Sequence, residues 1–162
     1  MTGNLLETTH PAESWPEVLG PGTTLLHGFT LAAAPALMDE LARIAASAPF
    51  RHMVTPSGHR MAVAMTNCGA LGWVSDRTGY RYAAQDPESG RPWPPMPARL
   101  FQLAREAAAL AGFADFLPEA GLIHRYLPAA RMSLHQDRDE RDLTAPLVSV
   151  SLGLPAVFRW GA

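Results

Sequence analysis

Apolar positions recur along this chain with two periods, and each period marks a different kind of element. Leu37, Leu41, Ile44 and Ala45 stand at i, i+4, i+7 and i+8, which places one buried stripe on a helix. That helix is predicted from Thr30, whose hydroxyl can cap it, to about Ser47, with Pro35 tolerable only in its first turn. A second stripe of Leu100, Leu103, Ala107 and Leu110 predicts a helix over about 98–111, and Gly112 suits the left-handed position after it. Shorter apolar runs predict strands at Thr24–Phe29, Met61–Thr66 and Gly121–Leu127, the last ended by Pro128. Apolar and hydroxyl residues alternate over Leu147–Leu152, Ala156–Trp160 is a further strand, and Tyr80-Arg-Tyr82 alternates as a hairpin arm would. Residues 1–23, with Pro16, Gly20, Pro21 and Gly22 near their end, are expected to be a lead-in. From 51 to 96 glycine and proline break the pattern, and Pro92, Pro94, Pro95 and Pro97 stop regular structure. Helices first and antiparallel-looking strands afterwards predict an α+β class with helices backing a sheet.

Composition narrows the picture. One hundred and sixty-two residues amount to one domain or most of one, and 48% hydrophobic against 17% charged residues allows a sizeable core. No run approaches the roughly 18 apolar residues of a membrane span, and MTGNLLETTH lacks a basic-then-apolar leader, so neither membrane insertion nor export is expected. The single cysteine, Cys68, excludes an intramolecular disulfide and any multi-cysteine metal site, and it suits a reducing cytoplasm. Every basic residue is arginine, which excludes Schiff-base lysine chemistry and a P-loop lysine. With a net charge of −2, contact with a polyanion has to rest on a local patch.

Chemical density peaks at Arg131–Asp142, RMSLHQDRDERD. His135 and Asp137 are two apart, so on extended backbone both side chains leave the same face. An imidazole nitrogen beside a carboxylate oxygen supplies two corners of the 2-His-1-carboxylate facial triad that holds non-haem Fe(II). A bare His-x-Asp in a charged turn serves equally well as a solvated ion-pair cluster, so spacing alone leaves both readings open.

Seven segments decide between them: PFRHMVTPSG at 49–58, AVAMTNCG at 62–69, LGW at 71–73, RPWPPMP at 91–97, LIHRY at 122–126, LHQDRDE at 134–140 and APLVSVSLGLP at 145–155. In this order and register the chain resembles the AlkB family of Fe(II)- and 2-oxoglutarate-dependent dioxygenases, which repair alkylated bases in DNA and RNA. The resemblance covers nearly the whole chain and is nearest to the bacterial founding member. It implies one domain over 1–162 built on a double-stranded β-helix, or jelly roll, backed by the N-terminal helices. A nucleotide-recognition lid over about 51–85 precedes the roll.

The resemblance also implies roles for residues. His135 and Asp137 become Fe(II) ligands. Tyr126 matches a residue that hydrogen-bonds 2-oxoglutarate, and His124 stands on the same face where the founding member has asparagine; imidazole can still donate to a carboxylate. Trp73 matches the aromatic that stacks on the flipped-out base, since an extruded base needs a replacement π-face; alone it would serve as well in a core. Tyr80 and Tyr82 match lid tyrosines along the substrate strand and pocket. Asp139 matches the carboxylate that reads the exocyclic amino group, which suits cationic 1-methyladenine and 3-methylcytosine. The lid carries Arg51, Arg60, Arg77 and Arg81 against Asp76 alone, a local excess that fits phosphates of a single strand. The implied reaction is oxidative demethylation, consuming O2 and 2-oxoglutarate and yielding succinate, carbon dioxide and formaldehyde, by a monomer.

The family's second histidine ligand and its 2-oxoglutarate-clamping arginine pair come later in the roll, and no histidine follows His135 here. A C-terminally truncated roll with weak or no turnover is therefore the expectation. The alternative is a non-catalytic binder of damaged single strands.

Overall fold

The computed structural model describes residues 14–137, 140 and 142–159. It opens with a hairpin, β1 (Trp15–Gly20) against β2 (Thr23–His27), turned at Pro21 and Gly22, whose φ of +70° is one that glycine adopts without a Cβ penalty. Part of the expected lead-in is thus a strand. Pro16 obscured it, because proline is admitted only where a strand edge needs no donor. The ring of Trp15 stacks on His27 at 4.3 Å, and Glu17 accepts from His27 Nε2 at 2.6 Å, so cross-strand pairs hold the hairpin.

Helix α1 runs Ala34–Ser47, later than expected from Thr30. Pro35 sets that start, since its ring and missing N–H are tolerated only in the first turn. Thr30 instead lies in the preceding turn, and no side chain caps the helix. The predicted stripe faces inward, with Leu37 and Ile44 buried and Leu41 and Ala45 half-buried. Helix α2 (Ala98–Leu110) follows the proline run, buries Leu103, Ala104, Ala107 and Ala108, and ends at Gly112 with φ +95°. Leu110 is 60% exposed, a correction to the expected stripe: at 3.6 residues per turn the inward face runs through the alanines.

Between the helices lie β3 (Ala64–Gly69), β4 (Gly72–Asp76) and β5 (Gly79–Ala83), and β6 (Ala120–Arg125) follows α2. β3 pairs antiparallel with β6 from Ala64↔Arg125 to Gly69↔Ala120, and β4 pairs with β5 from Gly72↔Ala83 to Asp76↔Gly79. Residues Ala64–Cys68 are all buried, so β3 is the floor of the molecule. Its Thr66 hydroxyl donates to Ala48 O at 2.7 Å, tying the end of α1 onto it. The strand expected at Met61–Thr66 therefore sits three residues later, where β6 supplies the ladder partner.

Among the described residues the strands form three two-stranded sheets and no closed barrel, a mixed helix and strand content. Leu147–Leu152 and Ala156–Arg159 run without a ladder, which corrects the two strands predicted there. Their alternation is genuine, but a strand exists only when a neighbour takes its N–H and C=O groups. Leu147, Val157 and Phe158 stay exposed as a result.

Cys68 is fully buried on β3, and desolvation pushes its thiol up to about 11. At pH 8 only about one molecule in a thousand carries the reactive thiolate. Alkylation by a thiol reagent is expected to be slow in the native chain and fast in urea; equal rates would contradict this packing.

Candidate active site

Metal-binding capacity gathers on the segment after β6. The Nδ1–H of His135 donates to the Ser133 carbonyl at 2.8 Å. A carbonyl can only accept, so Nδ1 carries a proton there and Nε2 is the ring nitrogen left to meet a metal. That Nε2 lies 3.4 Å from Asp137 Oδ1, with the two side chains 52% and 54% exposed. An imidazole nitrogen and a carboxylate oxygen, side by side and open to solvent, fit Fe(II) in their donor chemistry. No group of three His, Cys, Asp or Glu side chains occurs among the described residues, so His124 does not join the pair as a third ligand there.

His124 and Tyr126 flank the same place. Their rings stand 6.1 Å apart at the end of β6, and the Tyr126 hydroxyl meets Met132 Sδ at 3.8 Å. The protein around the His124 ring pushes its pKa below the usual value; the Asp137 carboxylate pulls it up and His135 pulls it down. Both metal-segment residues thus act on His124 through space. Burial pushes the Tyr126 phenol upward, so at neutral pH it keeps a proton to donate.

The aromatic platform lies on the β4–β5 hairpin. Trp73 is opposite Tyr82, and Ser75 opposite Tyr80, so all four side chains share one face. The Trp73 and Tyr80 rings stack at 5.6 Å with 17° between planes. Trp73 also packs against a buried cluster of Met53, Val63 and Met65, which Met132 of the metal segment touches as well. The Tyr82 hydroxyl donates to Glu140 Oε1 at 2.7 Å, a link from the hairpin to the segment carrying His135 and Asp137. Asp139 lies outside the described residues.

Two of the four lid arginines are paired: Arg81 takes Asp76, already set against the lid's charge, while Arg51 takes a partner outside the lid, which lowers the expected excess. Arg51 turns inward onto the buried Asp86 at 2.6 Å, and its guanidinium lies over the Trp93 ring at 5.3 Å. Arg81 pairs with Asp76 at 2.7 Å, and that contact, with Thr78, holds the Asp76 carboxyl well below the usual range. Arg60 and Arg77 remain without an ion pair among the described residues, and the Arg77 side chain reaches Gly58, so the lid's open charge concentrates there. The partners Asp86 and Glu88 lie past residue 81, where a charge count over the lid could not register them.

Sequence reasoning also missed the supports of the platform. Asn67 of β3 is fully buried; its Nδ2 donates to Trp73 O at 2.9 Å and its Oδ1 accepts from Trp73 N–H at 3.0 Å. Trp93 donates from Nε1 to Ala83 O at 3.0 Å, and a Cβ on Gly72 would lie 2.4 Å from its ring. Gly72 is therefore a glycine by close approach. Its place directly before Trp73 was the one available signal.

Known proteins place these features in a lineage. A family model described as the 2OG-Fe(II) oxygenase superfamily matches residues 22–162. The chain is 55% identical over 147 residues to the alpha-ketoglutarate-dependent dioxygenase AlkB of Salmonella typhimurium, covering 91% of this chain and 68% of that protein. To the AlkB of Escherichia coli it is 51% identical over 157 residues, covering 97% and 73%. The human nucleic acid dioxygenase ALKBH1 is 37% identical over 92 residues, which are 56% of this chain and 23% of that protein. No helix among the described residues is long and apolar enough to cross a membrane. With the family model spanning both helices, the aromatic platform and the His-x-Asp pair, and with identity above one half to two bacterial relatives, this chain belongs to the 2OG-Fe(II) oxygenase superfamily and, within it, to the AlkB dioxygenases.

Proposed function

We propose that this chain is an Fe(II)- and 2-oxoglutarate-dependent dioxygenase that removes methyl groups from alkylated bases, 1-methyladenine and 3-methylcytosine, in single-stranded DNA or RNA. The observation that carries this is the pairing of His135 Nε2 with Asp137 Oδ1 at 3.4 Å, with the other ring nitrogen held by Ser133 O, linked through Tyr82 and Glu140 to an aromatic hairpin. His135 and Asp137 would hold the iron, and His124 and Tyr126 would donate to a 2-oxoglutarate carboxylate beside it. Residues 51–85 act as the lid and the single domain is a jelly-roll arrangement. The protein works as a cytoplasmic monomer.

Fe(II) with 2-oxoglutarate and O2 supplies the oxidation of the N-methyl carbon, which leaves as formaldehyde. The chain's own residues do the selecting. Trp73 and Tyr80 offer π-faces to an extruded base, worth about 1–3 kcal/mol per stacked base. Tyr82, held by Glu140, keeps the hairpin next to the metal segment, so a base on the platform lies close to the ligands. Arg60 and Arg77 meet the phosphates of the strand. Asp139, by resemblance, accepts from the exocyclic amine.

Trp73→Ala is expected to weaken binding of a 1-methyladenine oligonucleotide by about 5- to 150-fold, in line with one lost stack. Fluorescence anisotropy against the unmethylated strand measures it; unchanged affinity would remove Trp73 from recognition. The reaction itself is tested by succinate and formaldehyde release. With one histidine and one carboxylate supplied from 135–137, turnover is expected to be low, equimolar in the two products, confined to the methylated strand, and absent from His135→Ala. Methyl-selective binding with no product would reduce the chain to a damage binder, and the loss of both would overturn the proposal.

A further inference from the structure

We propose that Asn67 is a positioning residue for base recognition: its side-chain amide sets the Trp73 ring at the angle from which it meets a base. This rests on the reading of Trp73 as the stacking aromatic. β4 is paired along one edge by β5, and at Trp73 its other edge meets the Asn67 amide instead of a strand. One amide serves both the N–H and the C=O of a single residue, at 3.0 and 2.9 Å, as a ladder neighbour would. The contact is fully buried on the Asn67 side, so no water can take either place.

Asn67 is itself anchored. It lies within β3, whose every residue from Ala64 to Gly69 is paired with β6. A Cβ on Gly72 would fall 2.9 Å from Asn67 Cβ and 2.4 Å from the Trp93 ring, so the β4 backbone lies pressed between the two and cannot slide. The ring of Trp73 hangs on a residue whose backbone N–H and C=O are both held by the Asn67 amide. Its direction is therefore inherited from β3, and through β3 from β6, the strand that carries His124 and leads to Tyr126. Serine is too short to reach both groups, and aspartate lacks the donor that Trp73 O requires. Asparagine is the side chain whose length and paired donor and acceptor fit this gap.

The test uses the full chain in five forms: wild type, Trp73→Ala, Asn67→Ala, Asn67→Asp and the double variant Asn67→Ala/Trp73→Ala. Affinity for methylated and plain single strands is measured beside hydrogen exchange at the Trp73 amide, with far-UV circular dichroism as the fold control. Asn67→Ala is expected to speed Trp73 amide exchange and to weaken methylated-strand binding at least about fivefold, leaving plain-strand binding unchanged. In the double variant, binding should match Trp73→Ala alone, because both changes remove one function. Asn67→Asp, which sets a carboxylate oxygen against Trp73 O, should weaken binding at least as much as Asn67→Ala at pH 8 and recover as lower pH protonates the carboxyl into a donor; that recovery serves if the alanine variant does not fold. Wild-type selectivity in the Asn67 variants, or losses that add in the double variant, would overturn the proposal. If the wild type shows no methyl selectivity, the Trp73 reading fails; unchanged amide exchange in Asn67→Ala would then overturn the clamp as well, and faster exchange would uphold it.

Discussion

Asp137→Ala is expected to lower Fe(II) affinity by more than about 100-fold. Loss of an outer-shell partner of a metal site costs about 10–100-fold, and Asp137 is placed as a direct ligand. Its Oδ1 lies 3.4 Å from His135 Nε2, and the Ser133 carbonyl holds the opposite ring nitrogen independently of the aspartate. The variant should therefore keep the His135 ring oriented by Ser133 while losing the metal. Anaerobic titration followed by paramagnetic broadening of the His135 and His124 ring signals separates these effects. Broadening in the variant at the wild-type Fe(II) concentration would show that Asp137 is a solvated ion-pair partner and nothing more. His124 makes an internal reporter, because both residues of the pair act on its charge.

Arg51→Met is expected to cost about 3–5 kcal/mol of stability at neutral pH, since it leaves a buried carboxylate without its counter-charge. The Asp86 side chain is only 7% exposed and that of Arg51 16%, so solvent screens the pair little. Burial by itself would raise the Asp86 pKa; the Arg51 guanidinium, the Glu88 N–H and the Ser89 hydroxyl together hold it below the ordinary value. With the folded pKa depressed, the stabilisation is complete above the unfolded value of about 3.9 and is lost as pH falls through the folded one. In Arg51→Met burial dominates and the pKa rises above that value, so the penalty should already shrink above about pH 4, as the variant's carboxyl becomes neutral, and go on shrinking down to the depressed pKa of the wild type. Urea unfolding at pH 7 and pH 4 measures both limbs. An equal penalty at the two pH values would mean that the loss is one of packing over Trp93 rather than of charge. The consequence reaches the site, because Trp93 lies under Gly72 at the root of the recognition hairpin.

These two residues show how differently the sequence discloses its chemistry. The His135–Asp137 pair is a local feature: a spacing of two on extended backbone brings the side chains together whatever the rest of the chain does. The Arg51–Asp86 pair joins residues 35 positions apart, and nothing near either one marks it. The same division runs through the fold. Helices α1 and α2 were legible because a stripe such as Leu37, Leu41 and Ile44 is repeated within one element, and Pro35 and the Pro97 boundary mark their starts. The arm Tyr80-Arg-Tyr82 was legible for the same reason. β1 was hidden by Pro16, and the alternation of Leu147–Leu152 promised a strand for which the described residues contain no ladder partner.

The aromatic platform combines both kinds of information. The presence of Trp73, Tyr80 and Tyr82 on one short stretch, and of histidine and aspartate two apart, follows from residue order, because side-chain direction on extended backbone repeats every two positions. Which face they take, and what holds them there, follows from contacts across the chain. Asn67 had no motif of its own beyond a place in AVAMTNCG, yet it grips the Trp73 backbone; Arg51 seemed to be a lid charge and is a buried strut. Local periodicity is written into neighbouring residues, whereas a buried hydrogen bond or ion pair depends on which distant surfaces the hydrophobic core brings together, and that becomes definite only on packing.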